Sequence, residues 1–184
     1  MDRELVERAQ HGDREAFADL ARAQADRLYG LAQRILRDAD RAEDATQQTL
    51  EIAWRDLPRL RDPDRFGPWL NRILVHACYS EAARARRWSA NVRVLTVEPA
   101  APDDDELTID DRDQLERGFR RLSPDHRALL ALHHYLGLSL QEIAETLGIP
   151  AGTARSRLHY AHRAMRAALE AEERSVAVAG GRAR

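Results

Sequence analysis

The side chains best suited to recognition chemistry follow a short hinge. In the stretch SLQEIAETLGIPAGTARSRLHYAHRAM, beginning at Ser139, the hinge carries Gly148, Pro150 and Gly152, and Arg155, Arg157, Arg163 and Arg166 come after it. At the angular step of a helix, Ser156, Tyr160 and Arg163 point away from an apolar stripe of Ala154, Leu158, Ala161, Met165 and Leu169. Arg155 and His159 lie on one flank and Arg157 on the other. Guanidinium groups match phosphate oxygens and guanine edges bidentately, while hydroxyls and backbone N–H groups fix register. The chemistry these residues can do is therefore non-covalent reading of a polyanion. A helical hairpin with a solvated basic face carries the same residue types. Hinge, cap and charge placement together favour a helix-turn-helix, whose second helix enters the major groove by its N-terminal residues.

Two helices must hold that hinge. Ser139 and Glu142 fit a capping box, in which side chain and backbone satisfy each other's free N–H groups. Leu140, Ile143, Ala144 and Leu147 follow the i, i+3, i+4, i+7 rule. Upstream, Leu115, Phe119, Leu122, Leu129, Leu132 and Leu136 can complete a small core, with Ser123 as N-cap and Pro124 at the first helical position.

A second group of candidate side chains lies in FGPWLNRILVHACYSEAARARRW, which starts at Phe66. Phe66, Trp69, Leu70, Ile73, Leu74 and Ala77 form the core stripe, and Arg72, His76, Tyr79 and Ser80 occupy the other side. Arg84, Arg86 and Arg87 close the helix, where positive charge is favourable for dipole reasons alone. Aromatic and hydrogen-bonding groups beside a basic cluster also suit unpaired bases and their phosphates. Before it, in DRAEDATQQTLEIAWRDL, Ala42, Ala45, Thr49, Ile52 and Ala53 can line one side, extended by Leu50, Trp54 and Leu57. Glu43, Gln47 and Glu51 recur at i, i+4, i+8 with Asp44 and Gln48 beside them. This acidic and amide strip suits a basic partner helix; a solvated face has the same make-up. Asp13 can cap a further helix running through Phe17, Leu20, Leu28 and Leu31.

Catalytic and metal chemistry find little support. All 29 basic residues are arginine, so a P-loop lysine or a Schiff base is impossible. Of the seven histidines, the adjacent His133 and His134 should diverge on a helix, while His159 and His162 share a face. Structural zinc wants cysteines or four convergent ligands, and Cys78 stands alone. No His-Glu-x-x-His or GxGxxG is present, and nothing desolvates a carboxylate for acid/base work. The expectation is a binding protein with no enzymatic activity, no cofactor and no metal.

Composition agrees with small helical bundles: 184 residues, 43% hydrophobic, 33% charged, 5% aromatic, with a formal net charge of -2. The net charge says nothing about a polyanionic partner, so the local clusters decide. A single cysteine fits a reducing compartment. No apolar run reaches bilayer length, and MDRELVERAQ lacks a signal-peptide core, so the expected location is the cytoplasm without membrane insertion. Residues 98–113 hold eight acidic side chains and one arginine, with Pro99 and Pro102 nearby. Such a stretch reads as a flexible acidic linker. The expected organisation is all-α: a helical domain over 1–88, a linker over 89–112, a helix-turn-helix domain over 113–172 and a disordered tail over 173–184.

In this order the segments resemble bacterial RNA polymerase sigma factors of the extracytoplasmic-function (ECF) group of the sigma-70 family. GDREAFADL, AEDATQQTLEIAW, FGPWLNRIL and RARRW resemble the first domain of that family, sigma region 2. RLSPDHRALLALHHYLGLSLQEIAETLGIPAGTARSRLHYA resembles its second, region 4. The resemblance implies an alternative sigma factor that binds core polymerase, through the coiled coil of the largest subunit and the flap, and reads promoter DNA. It implies polymerase contacts at Glu43, Asp44, Gln47 and Gln48. It places −10 reading and melting on the loop from Leu57 to Arg65 and the helix with Arg72, His76, Tyr79 and Ser80, beside the basic Arg84 and Arg87. It places −35 reading on Thr153, Arg155, Ser156, Arg157, His159 and Tyr160, with Arg163 next on the same face. His76 departs from the Asn that many members carry. An anti-sigma partner is compatible with the resemblance. A stand-alone helix-turn-helix regulator that does not dock on polymerase is the alternative, and it would bind an operator by itself.

Overall fold

The structure, a computed structural model, describes residues 3–91 and 109–181, with side chains described for 3–88 and 115–171. The elements among them are helical: α1 (Arg3–Gln10), α2 (Arg14–Leu36), α3 (Ala39–Asp56), two 3₁₀ turns (Leu57–Arg59 and Pro63–Arg65) and α4 (Phe66–Asn91) in the first part. The second part holds α5 (Ile109–Arg120), α6 (Pro124–Leu130), a π turn (Ala131–Tyr135), α7 (Leu140–Leu147) and α8 (Ala151–Gly181). The all-α expectation holds. The linker reading falls mostly on residues 92–108, outside the described residues.

Local chemistry sets the helix ends. Asp13 is the N-cap of α2, its carboxylate accepting from the N–H groups of Glu15 and Ala16 at 3.0 Å each; the Ala16 bond, then the hydrogen bond from the Arg8 guanidinium, lead the causes that hold its pKa low. Ser123 caps α6 with Pro124 at the first helical position. Ser139 and Glu142 form the complete capping box of α7, the Glu142 carboxylate accepting from the Ser139 N–H at 2.8 Å. α8 continues to Gly181. Its EAEERSVAVAG sequence contains no proline and holds three Ala and three Glu, all able to extend a helix.

Each helix buries the stripe its spacing dictates. α2 contributes Leu28, Leu31, Ala32 and Ile35, α3 contributes Ala42, Ala45, Thr49 and Ala53, and α4 contributes Phe66, Leu70, Leu74 and Cys78. The buried Thr46 and Thr49 hydroxyls donate to the carbonyls of Ala42 and Ala45 at 2.7 and 2.6 Å, so neither is left unpaired. In the second part α8 packs on α5, α6 and α7 through Ala154, Leu158, Ala161 and Met165. The two parts are also in contact. α4 lies against α6 and α7, α2 lies against α6 and the π turn, and one apolar core runs through both. No sequence period encodes that contact.

Candidate nucleic-acid interface

The hinge is built by glycine geometry. Gly148 ends α7 at φ +66°, in the left-handed region, and its N–H reaches back to the carbonyls of Ala144 and Glu145. The Ile149 N–H also bonds to the Ala144 carbonyl, at 2.9 Å. Pro150 then precedes the first residue of α8, whose Ala154 N–H bonds to the Pro150 carbonyl at 3.0 Å. With Ala154, Leu158 and Ala161 buried, the opposite face brings out Arg155, Ser156, Arg157, His159, Tyr160 and Arg163, all exposed. Tyr160 is 58% exposed, far more than a packing tyrosine. Thr153 is half-buried and accepts on its carbonyl the Ser156 hydroxyl at 3.0 Å. Among the described residues, no carboxylate lies in ion-pair range of Arg155, Arg157 or Arg163. Their charge is available to a ligand.

On α4, Arg72, His76, Ser80 and Arg84 recur at i, i+4 spacing, and all four are exposed, as is Arg87. Arg84 is partly committed, pairing with Glu81 at 2.7 Å. The Ser80 hydroxyl donates to the His76 carbonyl at 3.0 Å. Tyr79 departs from the expected outward face. It is half-buried, and burial, then the Asp125 carboxylate that accepts its hydroxyl hydrogen, push its pKa well up. Arg72 lies beside the hinge: a Cβ at Gly148 would stand 3.0 Å from its Nη2. The second part of the molecule therefore touches the row at two points.

The acidic strip on α3 is presented as the spacing predicts. Glu43, Asp44, Gln47 and Glu51 are exposed and Gln48 is half-buried, with Gln47 Nε2 donating to Glu51 Oε1 at 3.0 Å. Trp54 does not join the core; 36% of it is exposed, and its ring centroid lies 5.0 Å from that of Phe17. Between α2 and α3 this leaves an apolar groove floored by Phe17, Ala21, Leu50 and Trp54 and rimmed by Glu43 and Glu51. The spacing of Phe17 and Trp54 suits core or groove equally, so periodicity alone did not separate them. Leu115 likewise is 39% exposed rather than core, lining an interdomain pocket with Phe119 and Tyr135.

The other reactive groups are accounted for by structure. Cys78 is fully buried, and burial first, then Glu81, push its thiol up to about 12, so it is not a nucleophile. His133 and His134 do not diverge: the π turn takes a smaller angle per residue, and their ring centroids lie 4.8 Å apart. His162 pairs with His134, Nε2 to Nε2 at 2.8 Å, rather than sharing a site with His159. Burial, then His133 and His162, lower the His134 pKa. Among the described residues no three His, Cys, Asp or Glu side chains are grouped to hold a metal. None of the described helices is long and apolar enough to cross a membrane.

Residues 20–88 match the family described as Sigma-70 region 2, and residues 112–166 match Sigma-70, region 4. The chain is 32% identical to the RNA polymerase sigma-H factor of Pseudomonas aeruginosa, covering 92% of this chain and 94% of that protein. It is 34% identical to the RNA polymerase sigma factor CarQ of Myxococcus xanthus, covering 94% and 99%. Among solved structures, CnrH in complex with the cytosolic domain of CnrY matches with TM-score 0.65 and 25% identity over 92% of this chain and 97% of that one. The sigma factor RpoE from Bartonella quintana, solved with the anti-sigma factor NepR, shares the fold at TM-score 0.69 and 24% identity, over 84% and 96%.

Proposed function

From the premise that this chain belongs to the ECF group of the sigma-70 family and directs promoter-specific transcription initiation, we propose which surfaces do the work. The α8 face of Arg155, Ser156, Arg157, His159, Tyr160 and Arg163, with Thr153 at its start, reads the −35 element in the major groove. The α4 row of Arg72, His76, Ser80, Arg84 and Arg87, with Tyr79 beside it, engages the −10 element as its strands part. Glu43, Asp44, Gln47 and Gln48 dock on a basic helical surface of the polymerase, and the groove beside them takes that partner's apolar side chains.

The observation that carries this reading is the pair of exposed polar rows on α4 and α8, each opposite a buried stripe, in one chain. Arginines without carboxylate partners supply phosphate affinity; the hydroxyl, imidazole and phenol groups between them can supply base selectivity. Nothing in these rows is arranged to break a bond. The protein acts by binding, without enzymatic activity or metal, in the cytoplasm where polymerase and chromosome meet. The working units are residues 1–88 and 113–172, with the acidic stretch as the tether that lets them engage two promoter elements at one spacing. That CnrH was solved with the cytosolic domain of a second protein supports an anti-sigma partner for this chain as well.

Transcription in vitro decides it. Core polymerase, a genomic fragment library and this protein are expected to yield discrete start sites absent without the protein. If no transcripts start on any template while the isolated protein binds a defined operator tightly, the stand-alone regulator is right instead.

A further inference from the structure

The loop between α3 and α4, Leu57–Arg65, is closed on itself by two short turns. The Leu60 N–H bonds to the Leu57 carbonyl and the Arg65 N–H to the Asp62 carbonyl, each at 3.0 Å. Its ends are anchored by the buried Leu57 and by Phe66, the first residue of α4, while Pro58, Arg59 and Arg61 stand exposed between them. A further hold on the loop comes from α1. Gln10, the last residue of that helix, turns its side-chain amide to the loop, and Nε2 donates to the Leu60 carbonyl at 2.6 Å and the Leu57 carbonyl at 3.3 Å. Both bonds are part-buried and span 50 and 47 positions of sequence. Arg3, at the other end of α1, reaches the Asp64 carboxylate at 2.7 Å. α1 itself is seated by the buried Val6 and Ala9, so both side chains project from a fixed support.

We propose that Gln10 is a positioning residue for −10 recognition: it braces the Leu57–Arg65 loop in the shape that meets the parted strands. The inference rests on the reading of α4 and the loop leading into it as the −10 surface, and it adds α1 to that machinery. The chemistry of the brace is specific to an amide. One uncharged nitrogen carries two hydrogens, one for each carbonyl, and a carboxylate of the same length has none to give. Losing the bond also leaves a part-buried carbonyl oxygen without its partner. A loop fixed beforehand gives up less entropy when a base docks, and it penalises a base that does not match its fixed donors and acceptors. Bracing therefore acts on both the ease of strand opening and the choice of base. The Arg3–Asp64 pair is exposed on both sides and contributes less.

The test uses the full chain in holoenzyme with core polymerase, on a promoter from which this protein starts transcripts. Gln10→Glu keeps the length and removes both donors. Gln10→Met keeps the length without charge and covers the case in which Gln10→Glu does not fold. Circular dichroism melting and capture by core polymerase report on folding and assembly, and both are expected to match the parent. A fluorescent adenine analogue in the −10 element reports strand opening, and templates carrying each base in turn at each −10 position report selectivity. Both variants are expected to slow opening about five- to tenfold and to reduce discrimination among −10 bases by a similar factor, with duplex binding before opening unchanged. A merely structural role weakens every template alike, so an equal loss on all of them overturns positioning. Parental opening and selectivity in both variants overturn it too. The loop is judged apart, through Pro58→Ala, Arg59→Ala and Arg61→Ala combined at its exposed tip, which should shift the −10 preference. If the tip variant shifts it and the Gln10 variants do not, the brace alone fails. If the tip variant keeps the parental preference, the −10 reading of the loop fails and the brace with it.

Discussion

Arg155 stands at the start of α8 with no carboxylate in range among the described residues, on a face it shares with Ser156, Arg157, His159, Tyr160 and Arg163. On the proposed −35 surface, a guanidinium so placed would contribute by displacing counterions from phosphate. Arg155→Ala is therefore expected to weaken holoenzyme binding at every promoter alike and to reduce the slope of log affinity against log salt by about 1. A titration across several salt concentrations checks this, and an unchanged slope removes Arg155 from the interface. The exposed members of this face were legible because solvent exposure on a helix is a matter of angle from a buried stripe. Tyr79 was not, since on the same angular reasoning it belongs outside. What covers it is Asp125, 46 positions away in sequence.

At the scale of elements, caps and stripes were written locally. Asp13, Ser123 and Ser139 bond to N–H groups within three residues, so composition and spacing suffice to find them. The π turn was not legible, because one extra residue in a turn leaves no mark on a hydrophobic period. Its consequence is the His134–His162 pair, which ties the turn to α8. One ring donates and the other accepts, an arrangement that a second proton on the pair destroys. His134 is held low by burial and by two neighbouring imidazoles, so the folded state prefers it neutral. The contribution is then complete above the ordinary histidine value near 6.5 and is lost as pH falls through the lowered folded value. Urea melting from about pH 7.5 down to about 5.5 is expected to show stability falling, with a shallower fall in His162→Gln. Identical pH dependence in the two proteins would falsify a role for the pair.

At the scale of the whole molecule, the proposed surfaces for polymerase and promoter must act together. Glu43→Arg combined with Asp44→Arg changes two exposed side chains that hold no core contact. It is expected to abolish capture by core polymerase in a pull-down while leaving the thermal unfolding temperature of the free protein unchanged. Retained capture rejects the strip as the docking surface.

The sequence by itself determined that the protein is helical, that two helical groups flank an acidic stretch, where the helices begin, and which faces carry arginine, amide and carboxylate groups. These are properties of neighbours three or four residues apart, and such neighbours are fixed by helix geometry alone. Only the tertiary structure decided that the two groups pack on one another, that Phe17 and Trp54 floor a groove, that Arg72 lies beside Gly148 and that Tyr79 bonds to Asp125. Those outcomes depend on pairs brought together across the fold. Their energies come from complementary shape and charge, which no period along the chain records.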